Sequence, residues 1–331
     1  MSVDRRGFLL AGGAVLAGLA GLARSAPDDG PVRVTDSRGR AVELARPASR
    51  IVCLIESALS GLYMLGADAA LVGIPANVYS GDVAPRYARL DARIAAHSLP
   101  APGNWDFVSI ERVLALRPDL VVVWAHQREA IEVLEQRGIP VYGVFIAGLA
   151  DLRKEMLDFG RLTGTLARAE ALLAATDAEV ARIARAVAVA ETERPSVHFA
   201  WGQGMLETSC RGSMVDELIR LAGGRNLCTD TAEHATPGLE RVLAANPEVI
   251  VLWHNPRRSV ESVLADPQWR AVSAVRNRRV FALPEVFDCD LWTLKYRHAL
   301  HLMAGWFHPQ HIALPGVAER DAMMASLYGR T

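Results

Sequence analysis

No cysteine stands directly after the apolar run near the N-terminus of this chain, which argues against a lipid anchor on a mature N-terminal cysteine. The run itself, which reaches Leu22, is too short and too rich in glycine to span a bilayer. Charge of one sign is missing too. The 36 basic residues nearly balance 37 acidic ones, and nothing in that balance calls for nucleic acid. Catalytic signatures are absent: there is no Walker loop, no His-Glu-x-x-His and no Gly-x-Ser-x-Gly elbow. The segment Gly13-Ala-Val-Leu-Ala-Gly18 belongs to the N-terminal apolar run and cannot serve as a dinucleotide loop. Cysteine is sparse, at four residues. In an oxidising compartment either Cys210 pairs with Cys228, or these two remain buried free thiols like Cys53 and Cys289.

What is present begins with an address. Asp4-Arg5-Arg6-Gly7-Phe8-Leu9-Leu10 sets paired arginines ahead of the apolar run, and Ala23 and Ser25 ahead of Ala26 fit a small-x-small cleavage rule. The pattern resembles a twin-arginine export signal, so residues 1–25 are expected to be cleaved on the way to the periplasm; an uncleaved anchor helix is the alternative. Removal takes away three arginines and one aspartate and leaves 33 basic against 36 acidic residues. The remaining length and a hydrophobic content of 51% suit two cores.

The chain also repeats itself. Ile110-Glu-Arg-Val-Leu-Ala-Leu-Arg-Pro-Asp-Leu-Val-Val-Val-Trp124 returns 129 positions later, ungapped, as Leu239-Glu-Arg-Val-Leu-Ala-Ala-Asn-Pro-Glu-Val-Ile-Val-Leu-Trp253. Each copy is a helical turn carrying a glutamate, a proline that ends it, and an apolar strand closing on tryptophan. The period is far too long for a solenoid, so it predicts a duplicated α/β lobe.

Strand and helix patterns alternate through both halves, which predicts parallel sheets covered on both faces. The expected fold is α/β, two Rossmann-like lobes joined by a long rigid helix, with a ligand cleft between them. The expected divisions are a first lobe at 32–150, a connecting helical segment at 151–193 and a second lobe at 194–331. Within the connector, the alanine-rich stretch from 166 to about 192 reads as one helix of about 27 residues, on the order of 40 Å at 1.5 Å per residue. Residues 267–271 read as a short helix, and 293–307 as a long closing one.

Open parallel sheets bind ligands beyond the carboxyl ends of their strands. Trp124, Trp253 and Trp201 fall there, and Trp105 lies in the loop Pro102-Gly-Asn-Trp-Asp before the first copy of the repeat. Aromatic residues at strand ends in both lobes suit a large, flat or greasy ligand. Glu56, Tyr79, His126, His234, His254, Glu285, Phe287 and Asp288 are the further candidates at these edges. A histidine or tyrosine there could ligate a metal centre or hydrogen-bond its chelator. His298, His301, His308 and His311, on and just past the closing helix, match no zinc signature.

Taken together, the export signal, the two lobes, the connecting helix and the phrase Glu-Arg-Val-Leu-Ala-Leu-Arg-Pro-Asp-Leu-Val-Val resemble the periplasmic binding proteins of iron-siderophore, haem and vitamin B12 ABC importers. The resemblance implies a monomer without a permanently bound cofactor or catalytic residues, which hands a metal complex to a permease dimer and its ATPase. In that family the repeated glutamates, here Glu111 and Glu240, form salt bridges with permease arginines. The ligand-touching aromatics correspond to Trp105, Tyr79 and Trp201. His234 stands where the vitamin B12 branch carries a tryptophan, and Gly204-Met-Leu-Glu-Thr208 followed by Gly212-Ser213 resembles relatives that handle iron complexes, nickel chelates or molybdate. An iron(III)-siderophore is therefore the first choice of ligand on sequence grounds, with cobalamin, haem, nickel chelate and molybdate open. A secreted two-domain α/β enzyme using Glu56 and Glu285 as acid and base is the alternative of another class.

Overall fold

The computed structural model describes residues 30–188, 193–255 and 257–329. The expected signal at 1–25 lies outside the described residues. A hairpin of β1 (Val32–Thr35) and β2 (Ala41–Leu44) opens the chain. It turns through Gly39, whose φ of 75° is the left-handed conformation that glycine adopts without strain.

Two four-stranded parallel sheets follow. The first joins β3 (Ile51–Cys53), β4 (Leu71–Gly73), β5 (Leu120–Trp124) and β6 (Val141–Val144) in the order β4-β3-β5-β6. β7 (Ser196–Ala200) begins the second half, where β8 (Thr208–Ser209) pairs with β10 (His234–Ala235) in a separate antiparallel ribbon. The second sheet adds β9 (Arg225–Asn226), β11 (Val249–Leu252) and β12 (Val280–Ala282), in the order β9-β7-β11-β12. The repeat maps β5 onto β11, and the two sheets then share one strand order.

The match extends to backbone conformation. Arg117 and Asn246, at equivalent places just before the repeat's prolines, both take left-handed φ values, 47° and 46°. A residue before proline is driven out of the right-handed helical region, so the helix must end there in both copies.

Alternation along the strands explains the layers. Ile51, Cys53, Leu120 and Val122 face one core, while Val52, Leu54, Val121 and Val123 face another beneath helices 110–115 and 128–136. In the second sheet Val197, Phe199, Val249 and Val251 face the same large core as the first set, and Ile250, Leu252 and Val280 face outward onto a smaller one. One apolar core therefore runs through both halves. Burial on both faces is the setting in which parallel strands are nearly continuous in Val, Ile and Leu.

The connector is two helices, Leu149–Leu162 and Leu166–Ala186. The second has 21 residues rather than the expected 27, or about 31 Å. It ends before β-branched Val187, a residue that loses side-chain freedom in a helix. It packs against Leu149–Leu162 on one side and against Met214–Leu221 and Tyr296–Phe307 on the other. Residues 267–271 are a hydrogen-bonded turn, not a helix: Trp269 N–H donates to Asp266 and Val272 N–H to Trp269, and the helix proper is Ser273–Arg276. The closing helix starts at Tyr296, later than expected, because Thr293 Oγ1 accepts the Lys295 N–H in a turn. One further helix, Val317–Tyr328, returns to the first half, where the Tyr328 and Ser60 hydroxyls lie 2.7 Å apart.

Candidate functional site

Three indoles stand where β5, β7 and β11 end. Trp124 is the last residue of β5; Trp201 and Trp253 directly follow β7 and β11, and the Trp253 N–H donates to the Ala200 carbonyl at 2.8 Å. Trp201 and Trp253 have ring centres 5.2 Å apart. Trp292, which the sequence reading missed, stacks on Trp201 at 5.9 Å and meets Trp253 edge-on at 6.2 Å. Trp201 is nearly buried, and its indole N–H is satisfied by Ser209 Oγ at 2.9 Å. That bond fixes the ring plane, so the face turned to the cleft is preorganised.

The cleft has two connected chambers that share Trp253 and Trp292. The inner one, about 200 Å³, draws Glu56, Trp105 and Trp124 from the first half and Asp290 from the second. The outer one, about 680 Å³, adds Trp201, Gln203, Glu207, His234, His254 and Asn255. Among the described residues no lysine or arginine side chain lines either chamber.

Glu56 opens the helix Glu56–Met64, and its Oε1 accepts the Tyr87 hydroxyl at 2.6 Å. Asp290 is buried. Burial pushes its carboxyl up, against the pull of Lys295, whose Nζ lies 3.9 Å away. Lys295 is fully buried with its ammonium 3.8 Å from the centre of the Phe287 ring, a cation-π seat beneath the cleft floor. Desolvation would lower its pKa, but Tyr328, Asp290 and Glu56 outweigh this and raise it, so the lysine stays charged.

The remaining candidates lie in three places. His234 and His254 line the outer chamber: His234 is exposed and 5.8 Å from the Trp201 ring, and His254 Nε2 is 3.3 Å from Asp82 Oδ2 of the first half. His126 stacks on Trp124 at 6.2 Å and is exposed at the rim, while Trp105 is 59% exposed at the inner chamber's mouth. Four residues turn away from both chambers. The Tyr79 hydroxyl donates to the Leu99 carbonyl and its ring stacks on His97; Phe287 is buried between Tyr87 and Tyr328. Glu285 and Asp288 are taken by Arg86, at 2.5 and 3.4 Å, with Arg320 also 3.6 Å from Asp288. Glu56 and Glu285 therefore do not face each other as an acid and base. Glu111 and Glu240 are exposed in the first turns of Ile110–Ala115 and Leu239–Ala245.

Cys210 and Cys228 form a disulfide, whereas Cys53 and Cys289 are free and buried. Among the described residues the close grouping of possible metal ligands is Cys210, Cys228 and Asp230, and its two sulfurs are bonded to each other. Of the four C-terminal histidines, His301 and His308 bond the carbonyls of Ala313 and Gly223.

Two parallel sheets of matching order, with a ligand-sized aromatic cleft at their carboxyl ends, define a two-lobed binding protein. The chain belongs to the periplasmic binding protein family, whose model matches residues 51–286. It is 28% identical over 263 residues to a cobalamin-binding protein of Halobacterium salinarum, covering 77% of this chain and 67% of that one. The molybdate-binding protein MolA of Haemophilus influenzae is 25% identical over 301 residues, 82% of each chain. Its molybdate-bound structure superposes with a TM-score of 0.75 at 22% identity, over 90% of this chain and 98% of that one. Helicobacter pylori CeuE with Ni(II) bound gives 0.72 at 19% identity, over 91% and 97%. The family and these relatives are binding proteins, so the enzyme alternative is set aside. Among the described residues no helix is long and apolar enough to cross a membrane.

Proposed function

We propose that this chain is the substrate-binding component of an ABC importer and that its cargo is a large, flat metal complex without net negative charge, of which a corrinoid fits best. The observation that carries this is the lining of the cleft: five indoles and three carboxylates, Glu56, Glu207 and Asp290, with no lysine or arginine. Indole faces offer area and polarisability to a broad ring, while carboxylates welcome amide and ammonium donors and repel anions. Molybdate and anionic ferric catecholates would meet these carboxylates and no lysine or arginine in the lining. An iron(III)-siderophore, first on sequence grounds, takes second place and is narrowed to uncharged hydroxamate complexes, which the same lining tolerates. The cobalamin-binding relative supports the corrinoid reading.

Delivery would use Glu111 and Glu240. They stand at equivalent positions of the repeat, exposed at two helix starts, and a permease built as a symmetric dimer presents two equivalent surfaces to receive them. Titration of the purified protein with cyanocobalamin, a ferric trihydroxamate, haemin and molybdate, read by tryptophan fluorescence, tests the cargo. Saturable quenching by cyanocobalamin at micromolar concentration or below is expected. Binding of the ferric hydroxamate with none of cyanocobalamin would replace the corrinoid, and binding of molybdate alone would overturn the charge argument.

A further inference from the structure

A second cavity, of about 580 Å³, lies away from the cleft, between the connecting helix Leu166–Ala186, the closing helix Tyr296–Phe307 and the last helix Val317–Tyr328. Arg297 and His298 line it, and both are more than nine-tenths buried. The Arg297 guanidinium donates to Ser326 Oγ at 2.9 Å and more distantly to Thr176 Oγ1 and the Met323 carbonyl, all uncharged acceptors, and its buried Nε has no hydrogen-bond partner among the described residues. Among the described residues no carboxylate forms an ion pair with it. Glu179, across the cavity, has both oxygens held by Arg182, at 2.7 and 2.8 Å, and Glu319 accepts the Gly316 N–H. Burial pulls the Arg297 pKa down and the charge of Glu179, itself paired with Arg182, only partly offsets this; an oxyanion entering the cavity would add the opposite charge that a guanidinium's donors match.

His298 points the same way. Among the described residues its side chain makes no hydrogen bond, and burial, with His301 and Arg320 nearby, pushes it down to about 4, so at neutral pH it is an uncharged imidazole with one N–H to donate. The lining also carries the apolar side chains of Ile312, Leu314 and Met323, with Leu314 52% exposed. An inorganic anion would leave those side chains against water. We infer that this cavity is a second ligand site, for a small organic carboxylate whose head meets His298 and Arg297, the latter held in place by Ser326, and whose apolar body covers Leu314.

The inference is independent of the cargo in the cleft. Calorimetric titration and thermal melting of the mature protein with hexanoate, benzoate and inorganic phosphate, at constant ionic strength and neutral pH, test it. Hexanoate or benzoate should bind saturably and raise the melting temperature. Ser326→Ala and Arg297→Gln should each weaken binding roughly tenfold or more, and Leu314→Trp, which fills the cavity from its exposed side, should abolish it. Trp201→Ala, in the cleft, should leave it unchanged. Saturation by phosphate alone would overturn the carboxylate class. No saturable binding by any of the three, or full binding by Leu314→Trp and Ser326→Ala, would reduce Arg297 to a structural contact with the last helix.

Discussion

Asp119 and Glu248 stand 129 positions apart and hold the same post. Asp119 accepts the backbone N–H groups of Ser49 and Arg50, each at 2.8 Å, just before β3 begins. Glu248 accepts the backbone N–H and hydroxyl of Ser196, at 2.8 and 3.0 Å, where β7 begins. Each acid follows the repeat's proline and ties the start of the central strand next door to its own. Asp119→Ala or Glu248→Ala leaves such donors unsatisfied, and each should lower unfolding free energy by about 1–3 kcal/mol in denaturant titrations. A double variant should lose close to the sum, because the two sites share no partner.

Ligand affinity should follow the indoles. Trp201→Ala and Trp292→Ala each remove an aromatic face worth ~1–3 kcal/mol, so the Kd for the cargo should rise roughly tenfold or more. Trp292 carries the sharper expectation, since it borders both chambers. Unchanged affinity in both variants would move the site elsewhere.

Transport and binding should separate at the two glutamates. An exposed ion pair contributes about 0–1 kcal/mol, whereas one desolvated at an interface costs roughly 2–5 kcal/mol when a partner is removed. Glu111→Ala combined with Glu240→Ala should abolish uptake in cells while melting temperature and Kd stay unchanged. Normal uptake would leave both residues as ordinary surface charges.

Stability should fall as pH rises from 4.5 toward about 8 because of Glu155. Burial, reinforced by Asp290 and Asp158, pushes its carboxyl up to about 8 from an ordinary value of 4.5. Between those values the folded chain holds a proton that the unfolded chain has released, so stability declines as pH rises through the interval. Glu155→Gln should flatten that decline, raising the melting temperature more at pH 8.5 than at pH 5. A parallel shift at both would assign the slope to other groups.

The lobes and the strand-end tryptophans were legible because they rest on local signals: an apolar run, a proline and a terminal aromatic. Trp292 escaped because an irregular stretch separates it from β12, so the strand-end rule that found Trp124 does not reach it. Tyr79, Phe287 and Asp288 look like cleft residues in one dimension. Their partners, the Leu99 carbonyl, Tyr87 and Arg86, are distant in sequence, and those partners decide which way each side chain turns. The helix Val317–Tyr328 was missed for a related reason: few of its side chains are buried, so it carries little apolar periodicity, and the contacts that hold it belong to Ser60, Arg168 and Arg297.

Asp82 and Arg86 lie on one short segment of the first half, and from it they reach His254 and Glu285 of the second. The two halves are thus joined twice through that one segment, and any widening there must part both contacts. Rocking of the halves is expected to pivot on this segment rather than to open it.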